Sequence, residues 1–393
     1  MKKLFYILLL LFGIALNAKS QISIDSVLYK IEQNNKTIQA NVQFWEVKKM
    51  EYKTGLTPYN PKVEYDYLNG SPEGAGNQIE FSITQSFDFP TVYSKRKQLS
   101  REQIKQAEFQ LTSAKQDILL EAKLICIELV YRDKFQSEVI KRKQSTEKWL
   151  ADFQSSMIKG GRSVLDVNKA KLQLTEINAD FQKNRSAINQ LNQRLTELNG
   201  GVVLNLTDLS YSELIEVPSF ENLGEEIKAN DPIREYMEQE NVIIEKKIEL
   251  SKAMSLPKVE AGYRYQAILG QRFNGVHVGL TIPLWENKNK VKAQQANLEF
   301  NDLNLKNHSN ERYYYIQNMY EKQLNLKLTL DEYALLFTDL NTEELLDKSL
   351  ALGHISAIEY FMEMSFYYDA LKNYLMTEKE YRQSVAELFK YKL

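Results

Sequence analysis

The amino-acid sequence predicts a mainly α-helical protein with a small β part and an internally duplicated chain. Two long stretches lack proline and almost lack glycine, and they are rich in Lys, Glu, Gln, Leu and Ala, which are good helix formers. Four short segments instead alternate apolar and polar residues with the period of two that is typical of strands. Short motifs of the first half recur in the second half, which indicates duplicated units.

The first 20 residues have the layout of a secretory signal peptide. Lys2 and Lys3 precede an apolar run from Leu4 to Ala15, and Ala18-Lys19-Ser20 offers small residues for cleavage. A membrane anchor is the alternative, but the run is too short to span about 30 Å of hydrocarbon comfortably. Removal of residues 1–20 takes away three lysines and no acids, which changes the net charge from −2 to about −5. We therefore expect an exported protein.

The composition argues against several functional classes. The chain has 50 basic and 52 acidic residues, without the basic excess of a general nucleic-acid binder. The single cysteine, Cys126, lies in an apolar helical run and is expected in the core, and it permits neither a disulfide within the chain nor a Cys-based zinc site. Three scattered histidines leave little room for a metal site. Because no P-loop, GxSxG or HExxH motif occurs, we expect no catalytic residue, no cofactor and no bound metal.

Prolines and glycines bound the predicted helices. Pro232 is expected to restart one of them at its first position, with Asp231 as the cap. At 1.5 Å per residue the longest helix would extend roughly 100 Å, which exceeds the globular norm and implies coiled-coil packing or a helical barrel. The predicted helices span about 23–57, 91–159, 164–199, 224–256, 285–352 and 356–391.

The strands and the glycine turns show the duplication. Pro61-Lys62-Val63-Glu64 recurs as Pro257-Lys258-Val259-Glu260, and the turn at 160–166 corresponds to the turn at 353–359. Each half has the order short helix, two strands, long helix, glycine turn, short helix. We therefore predict a signal peptide at 1–20, a first repeat at 21–217 and a second repeat at 218–393. The predicted strands span about 61–69, 77–88, 257–267 and 274–283, with connecting loops at 70–76 and around 270–275.

Each predicted strand has one apolar and one polar face, and two interpretations are open. The apolar face could pack on the helices of a soluble domain, or it could face lipid while the polar face lines a water-filled lumen. Four strands cannot close a barrel, whereas three copies would supply twelve. The predicted lumen residues are Glu64, Asp66, Glu80, Glu260, Arg264 and His277. Their acidic excess would favour cations, and simple solvation of these charges is the alternative.

Several segments in combination resemble the TolC family of outer-membrane efflux proteins. The carrying segments are the strand-to-helix junctions at 85–91 and 279–290, with Ala293 and Ala296 in the helix that follows the second junction, and the turns at 160–167 and 353–360. The resemblance covers essentially the whole mature chain. The sequences of the junction and of the C-terminal region are most similar to the heavy-metal subgroup related to CusC and CzcC. Two features depart from the pattern: Gly161 replaces a larger apolar residue, and no cysteine offers a lipid anchor at the cleavage point.

The resemblance implies a homotrimer in the outer membrane. Long antiparallel helices would form a trimeric periplasmic α-barrel, and four strands per protomer would contribute to a 12-stranded transmembrane β-barrel in outer-membrane lipid. Such proteins are passive exit ducts of tripartite efflux pumps, which pass small molecules or metal ions to the exterior. Their partners are a periplasmic adaptor (membrane fusion) protein and an inner-membrane RND-type pump. The alternatives are a type I protein-secretion duct and a soluble periplasmic coiled-coil scaffold.

The resemblance also places the two glycine turns at the periplasmic tip where the adaptor docks. Ser163 with Asp166, and Ser356 with Glu359, match the capping box, so a purely structural role at the start of the return helices is the alternative. Pro90 and Pro283 mark the strand-to-helix junctions. The predicted docking residues are Gly160, Gly161, Arg162, Ser163, Asp166, Gly353, His354, Ser356 and Glu359.

Overall fold

A computed structural model describes residues 22–213, 215–339 and 341–393 of the chain, so the predicted signal peptide lies outside the described residues. The described residues form two compact units. One unit comprises 22–39, 115–224 and 315–393, and the other comprises 40–114 and 225–314. Each unit takes segments from both predicted repeats, and the repeat boundaries stay a prediction.

Helices predominate, and the strands are few. In chain order the elements are β1 (Ile22–Ser23), α1 (Ile24–Asn34), α2 (Lys36–Glu51), β2 (Lys62–Leu68), β3 (Gln78–Phe87), α3 (Pro90–Ile158), α4 (Val164–Leu198), β4 (Leu209–Ser210), α5 (Phe220–Ala229), α6 (Pro232–Ala253), β5 (Lys258–Ile268), β6 (Gln271–Thr281), α7 (Lys290–Asp339), α8 (Thr342–Ala351) and α9 (Ala357–Leu388). Among the described residues, no helix combines the length and apolar character needed to cross a membrane.

Asp231 and Pro232 determine where α6 begins, as the sequence predicts. The Asp231 side chain accepts hydrogen bonds from the backbone N–H groups of Ile233 and Arg234, and Pro232 occupies the first turn. Proline is favoured there because its missing N–H would have no partner inside the helix. Pro90 is likewise the first residue of α3. Both start positions are therefore explained by local sequence.

The predicted helix 23–57 is wrong in extent, because it is interrupted at Asn35 and ends at Glu51. Asn35 has an extended backbone conformation. Its side chain accepts from the N–H of Ile38 over 2.8 Å and donates to the carbonyl of Leu198 over 2.7 Å. Asparagine can replace helical hydrogen bonds in this way without any proline or glycine.

The predicted helix 285–352 is also wrong in extent. It begins at Lys290, after Asn289 with a φ of 65°, a left-handed conformation that asparagine tolerates better than most residues. It ends at Asp339, and α8 begins at Thr342 after Asn341, whose φ and ψ are non-helical. Neither boundary carries a proline or a glycine, so helix bounds predicted from these two residue types miss both boundaries.

Four strands form one antiparallel sheet in the second unit, in the order β2-β3-β5-β6. Each half supplies one hairpin, and the pairing of β3 with β5 joins the two, with Phe81 opposite Tyr265. The first three strands lie within a residue of their predicted bounds. The predicted loop around 270–275 is wrong, because Leu269 and Gly270, with φ of 49° and 79°, make a two-residue turn and residues 271–275 belong to β6.

The core of the first unit lies where α1, α3 and α4 meet. Ile31, Ala122, Cys126 and Leu195 are fully buried there. Burial raises the pKa of the Cys126 thiol to about 12, so the thiolate is scarce at neutral pH. The prediction that Cys126 is a small core residue is confirmed.

Candidate functional site

All six predicted lumen residues lie on one face of the sheet. In the strand register Glu64 faces Ser82, which faces Arg264, while Asp66 faces Glu80. Glu260 and His277 occupy the same side, since Glu260 pairs with Ser86 and His277 pairs with Gly262. Residues directly opposite one another in an antiparallel ladder share a face. The sheet therefore collects these charges into one polar surface.

Hydrogen bonds across the strands organise this polar face. Nε2 of His277 lies 3.0 Å from Oε1 of Glu260, and the hydroxyl of Ser86 donates to Oε2 of Glu260 over 3.0 Å. The Gln266 amide donates to Glu80 over 3.3 Å. Glu64 also forms an ion pair with Lys62 over 2.5 Å. Glu64, Glu80 and Glu260 thus have polar partners within the same face of the sheet, as solvated charges should.

The opposite face of the sheet is apolar and exposed. It carries aromatic and β-branched residues, and the side chain of Val276 is 84% exposed. This contradicts the interpretation that the apolar face packs on the chain's own helices. Contiguous exposed apolar surface marks a contact with protein or membrane. Its exposed members on the four strands include Val63, Tyr65, Tyr67, Ile83, Phe87, Val259, Tyr263, Val276, Val278 and Leu280.

The two predicted turns have the same backbone construction. At the first, the N–H groups of Gly161 and Gly160 donate to the carbonyls of Ser156 and Met157. At the second, His354 and Gly353 donate in the same way to Ser349 and Leu350. This is the Schellman ending of a helix, in which one residue is left-handed. Gly160 and Gly353 supply it, with φ of 77° and 74°.

A capping box follows each Schellman ending. The N–H of Asp166 donates to the Ser163 hydroxyl over 3.3 Å, and the Ser163 N–H donates back to Asp166 over 3.1 Å. Ser356 and Glu359 repeat this exchange over 3.2 Å and 2.7 Å. The backbone and side-chain hydrogen bonds from Ser356 hold the pKa of Glu359 below its usual value. Both predicted capping boxes are confirmed.

One hydrophobic cluster in the first unit holds the two turns together. Phe153 and Val167 flank the first turn, and Leu350, Ala357 and Tyr360 flank the second, all of them buried. The guanidinium of Arg162 lies 4.9 Å from the centre of the Phe153 ring, so this predicted docking residue covers the cluster. Gly161 lies close to Ser156, since an added Cβ would be 2.8 Å from its Oγ.

Apolar side chains are exposed around both turns. On the first turn Ile158, Val164 and Leu165 are exposed, and on the second Leu352 and Ile358 are exposed. Sequence reasoning selected the polar and glycine residues of these turns and missed the apolar ones. Their signal was available, because three apolar residues flank Gly160 and two flank the second turn in the sequence, and grouped exposed apolar residues mark a contact surface.

A buried strand-to-helix junction lies at the end of β3. The Asp88 carboxylate pairs with the Arg96 guanidinium over 2.7 Å, and the Asp88 N–H donates to the Tyr93 hydroxyl over 2.9 Å. Pro90, the first residue of α3, therefore lies next to the ion pair between Asp88 and Arg96. Pro283 lies in the segment between β6 and α7 and starts no helix. Within the described residues, no three His, Cys, Asp or Glu side chains converge as metal ligands would.

Solved membrane proteins share this architecture. A membrane protein from Pseudomonas aeruginosa aligns with a TM-score of 0.77 at 12% identity, over 94% of this chain and 89% of that one. The Campylobacter jejuni CmeC outer membrane channel aligns with a TM-score of 0.72 at 13% identity, over 94% and 85%. CusC aligns with a TM-score of 0.69 at 15% identity, over 95% and 92%. The chain has the TolC fold. Neither a family sequence profile nor a curated protein matches it.

The comparisons concern the fold of the chain. The sequence resemblance is confirmed at the level of the fold, because the alignments cover nearly the whole chain. CusC is one of several channels with a similar TM-score, so membership of its heavy-metal subgroup stays a prediction.

Proposed function

We propose that this protein is the outer-membrane exit duct of a tripartite efflux pump and passes its cargo passively, without catalysis. The observation that carries the proposal is the sheet with one polar and one exposed apolar face, within a TolC fold. A sheet of this kind matches a wall between lipid and water. The cargo class, small molecules or metal ions, follows from the resemblance to efflux proteins.

Strand length supports the membrane placement. β5 and β6 each have 11 residues, and a tilted strand of about 9–11 residues spans a bilayer. From Val276 to Thr281 the exposed apolar side chains of β6 alternate with polar or small ones, as in a strand with lipid on one side and water on the other, whereas near the hairpin Phe273 lies on the polar face. The polar face, with Glu64 and Arg264 among its charges, would then line the aqueous path.

The open edges of the sheet support a trimer. Within one chain β2 and β6 are the edge strands, and each has a row of backbone groups that pairs with no other described strand. Such groups cannot remain unpaired in lipid, where no water replaces the missing partner. We propose that β6 of one copy pairs with β2 of the next, so that three copies close a 12-stranded barrel.

The exposed apolar turns support an adaptor as partner. Leu165 and Leu352 lie beside rigid turns that Schellman endings and capping boxes hold in shape. A rigid, exposed apolar surface fits the docking of another protein. We propose that these turns form the periplasmic tip and that an adaptor protein of an RND-type pump binds there.

Fractionation followed by a native mass measurement tests the proposal. The mature chain should be recovered in the outer-membrane fraction and should need detergent for extraction. Its mass in detergent should equal three mature chains, and the trimer should give stable ion conductance in a planar bilayer. A water-soluble monomer would contradict the proposal and would favour the scaffold alternative. A trimer whose neighbouring genes encode an ABC transporter would favour the protein-secretion alternative.

A further inference from the structure

An exposed apolar row along β6 continues beyond the end of the strand. Val276, Val278 and Leu280 lie on the apolar face of the sheet, and all three are exposed. The alternation continues in the sequence with Ile282 and Leu284, which are also exposed, and it ends at Trp285. Trp285 is 79% exposed, and its indole makes no hydrogen bond or ring contact within the described part of the chain.

The turn that carries Trp285 is held in place by several contacts. The Asn287 amide donates to the Met254 carbonyl over 2.6 Å, and the N–H of Lys288 donates to the Trp285 carbonyl over 3.1 Å. Lys258 lies 3.4 Å from the Glu286 carboxylate. The exposure of the indole is therefore a property of a fixed turn. Holding a large apolar ring in water is unfavourable unless another surface covers it.

Three lysines follow the tryptophan. Lys288, Lys290 and Lys292 are exposed, and Lys290 donates to Asn287 over 3.0 Å. Glu286 is the one acidic residue between Leu284 and Lys292. The order along the chain is thus an apolar row, an indole and then cations. The same order is met on crossing a leaflet from acyl chains through the interface to the phosphate groups.

We propose that residues 282–292 form an anchor in the interfacial region of a phospholipid leaflet. Leu284 and Trp285 enter the boundary between acyl chains and headgroups, and the lysines bind lipid phosphates. Trp suits this depth because its ring is apolar and its N–H can bond to polar groups there. Lysines suit the outer layer because their apolar stems reach along the boundary while the ammonium group stays in water. The inference rests on the proposed outer-membrane placement, since Ile282 and Leu284 continue the alternation of the apolar row of β6 and Trp285 follows directly after them.

Single-tryptophan variants test the anchor. The chain has three tryptophans, so W45F/W149F leaves Trp285 alone. The detergent-extracted protein is reconstituted into phosphatidylcholine vesicles that carry bromine on the acyl chains, either near the headgroup or near the chain end. We expect the emission of Trp285 to be quenched at least about twofold more by the shallow bromine, because interfacial indoles lie at that depth. The matched control is W45F/W285F, which leaves Trp149, packed against the buried cluster of the turns, and its emission should be unaffected by either bromine.

A lysine variant tests the headgroup contact. With brominated phosphatidylglycerol in place of the neutral lipid, quenching of Trp285 should increase, and K288Q/K290Q/K292Q should remove that increase. Equal quenching by the two lipids in the parent protein would overturn the role of the lysines. A trimer in the outer membrane with unquenched Trp285 would overturn the anchor and leave the proposed function intact. A protein absent from the outer membrane would overturn the proposed function itself.

Discussion

The hydroxyl of Tyr360 donates a hydrogen bond to Oδ1 of Asp347 over 2.8 Å and so joins α9 to α8 across the second turn. The indole N–H of Trp149 in α3 donates to the same oxygen over 3.2 Å. One carboxylate therefore connects three helices, in a cluster where Tyr360 is 2% exposed. Burial is the main cause that raises the pKa of Tyr360, so its hydroxyl keeps its proton and remains a donor.

Replacement of Asp347 by alanine should loosen the two turns. Asp347→Ala leaves the buried Tyr360 hydroxyl without its acceptor, which costs about 1–3 kcal/mol, while the Trp149 indole keeps its 3.1 Å hydrogen bond to that hydroxyl. Amide hydrogen exchange at the start of α9 should report this as faster local opening.

The neighbouring residue Glu344 provides the control for Asp347. Its exposed ion pair with Lys348, at 2.6 Å, contributes little because water screens it. Glu344→Ala should therefore leave the exchange rates near those of the parent protein. Equal protection of α9 in both variants would show that the Asp347 contacts do not stabilise the turns.

The first turn of α9 should become less stable as the pH falls. The pKa of Glu359 is lowered by its hydrogen bonds to Ser356, so the folded state favours the carboxylate. A lowered folded pKa gives a stabilisation that is fully present above the unfolded pKa and is lost as the pH falls through the folded pKa. Local exchange at Tyr360 and Phe361, corrected for intrinsic rates, should thus accelerate below about pH 4. Glu359→Gln should remove this dependence, and an unchanged pH profile in that variant would refute the assignment.

The sequence predicted the turns well and the interruptions of the helices poorly. Gly160 and Ser163 lie three residues apart and carry local signals, a left-handed glycine and an N-cap, which act within one turn. Asn35 interrupts a helix through a bond to Leu198, far away in sequence. The contact of Trp149 with Asp347 is equally remote, and no local pattern encodes it. The residues of the polar face were found because a period of two depends only on neighbouring positions in a strand.

A methyl group at Gly262 should disturb the junction of the two hairpins. A Cβ there would lie 2.4 Å from the carbonyl oxygen of Ile83 in β3, so the paired backbones would have to separate. Gly262→Ala should destabilise the sheet by about 1–3 kcal/mol and reduce the yield of folded trimer. Gly275→Ala in β6 is the control, because an added Cβ meets no atom within 4 Å. Comparable trimer yields on native gels for the two variants would contradict the close approach of β3 and β5.

Two adjacent residues of β6 should respond oppositely to the same substitution. Val276→Arg places a charge on the exposed apolar face, which costs about 2–4 kcal/mol if that face contacts the middle of a bilayer. His277→Arg places the same side chain on the polar face, beside the Glu260 carboxylate. We expect Val276→Arg to abolish recovery in the outer-membrane fraction and His277→Arg to preserve it. Equal recovery would mean that lipid does not cover the apolar face.

A charge placed on the first turn should weaken adaptor docking and leave assembly of the trimer unchanged. Leu165 is 71% exposed and lies within the first turn of α4, outside the buried cluster of the turns. Leu165→Asp removes apolar contact area and adds one negative charge at a helix N-terminus, where the helix dipole tolerates it, so folding should be unaffected. Asn168→Asp adds the same charge at an exposed position one turn further along α4 and removes no apolar surface.

If the turns dock an adaptor, Leu165→Asp should weaken chemical cross-linking to it and impair efflux, with the trimer and its conductance unchanged. Asn168→Asp should behave like the parent protein, because a buried interface depends on apolar contact more than on a single rim charge. Impaired efflux in both variants would assign the defect to charge at the tip. Normal efflux in both would remove the first turn from the docking surface and leave the second turn, with Leu352 and Ile358, as the part to test.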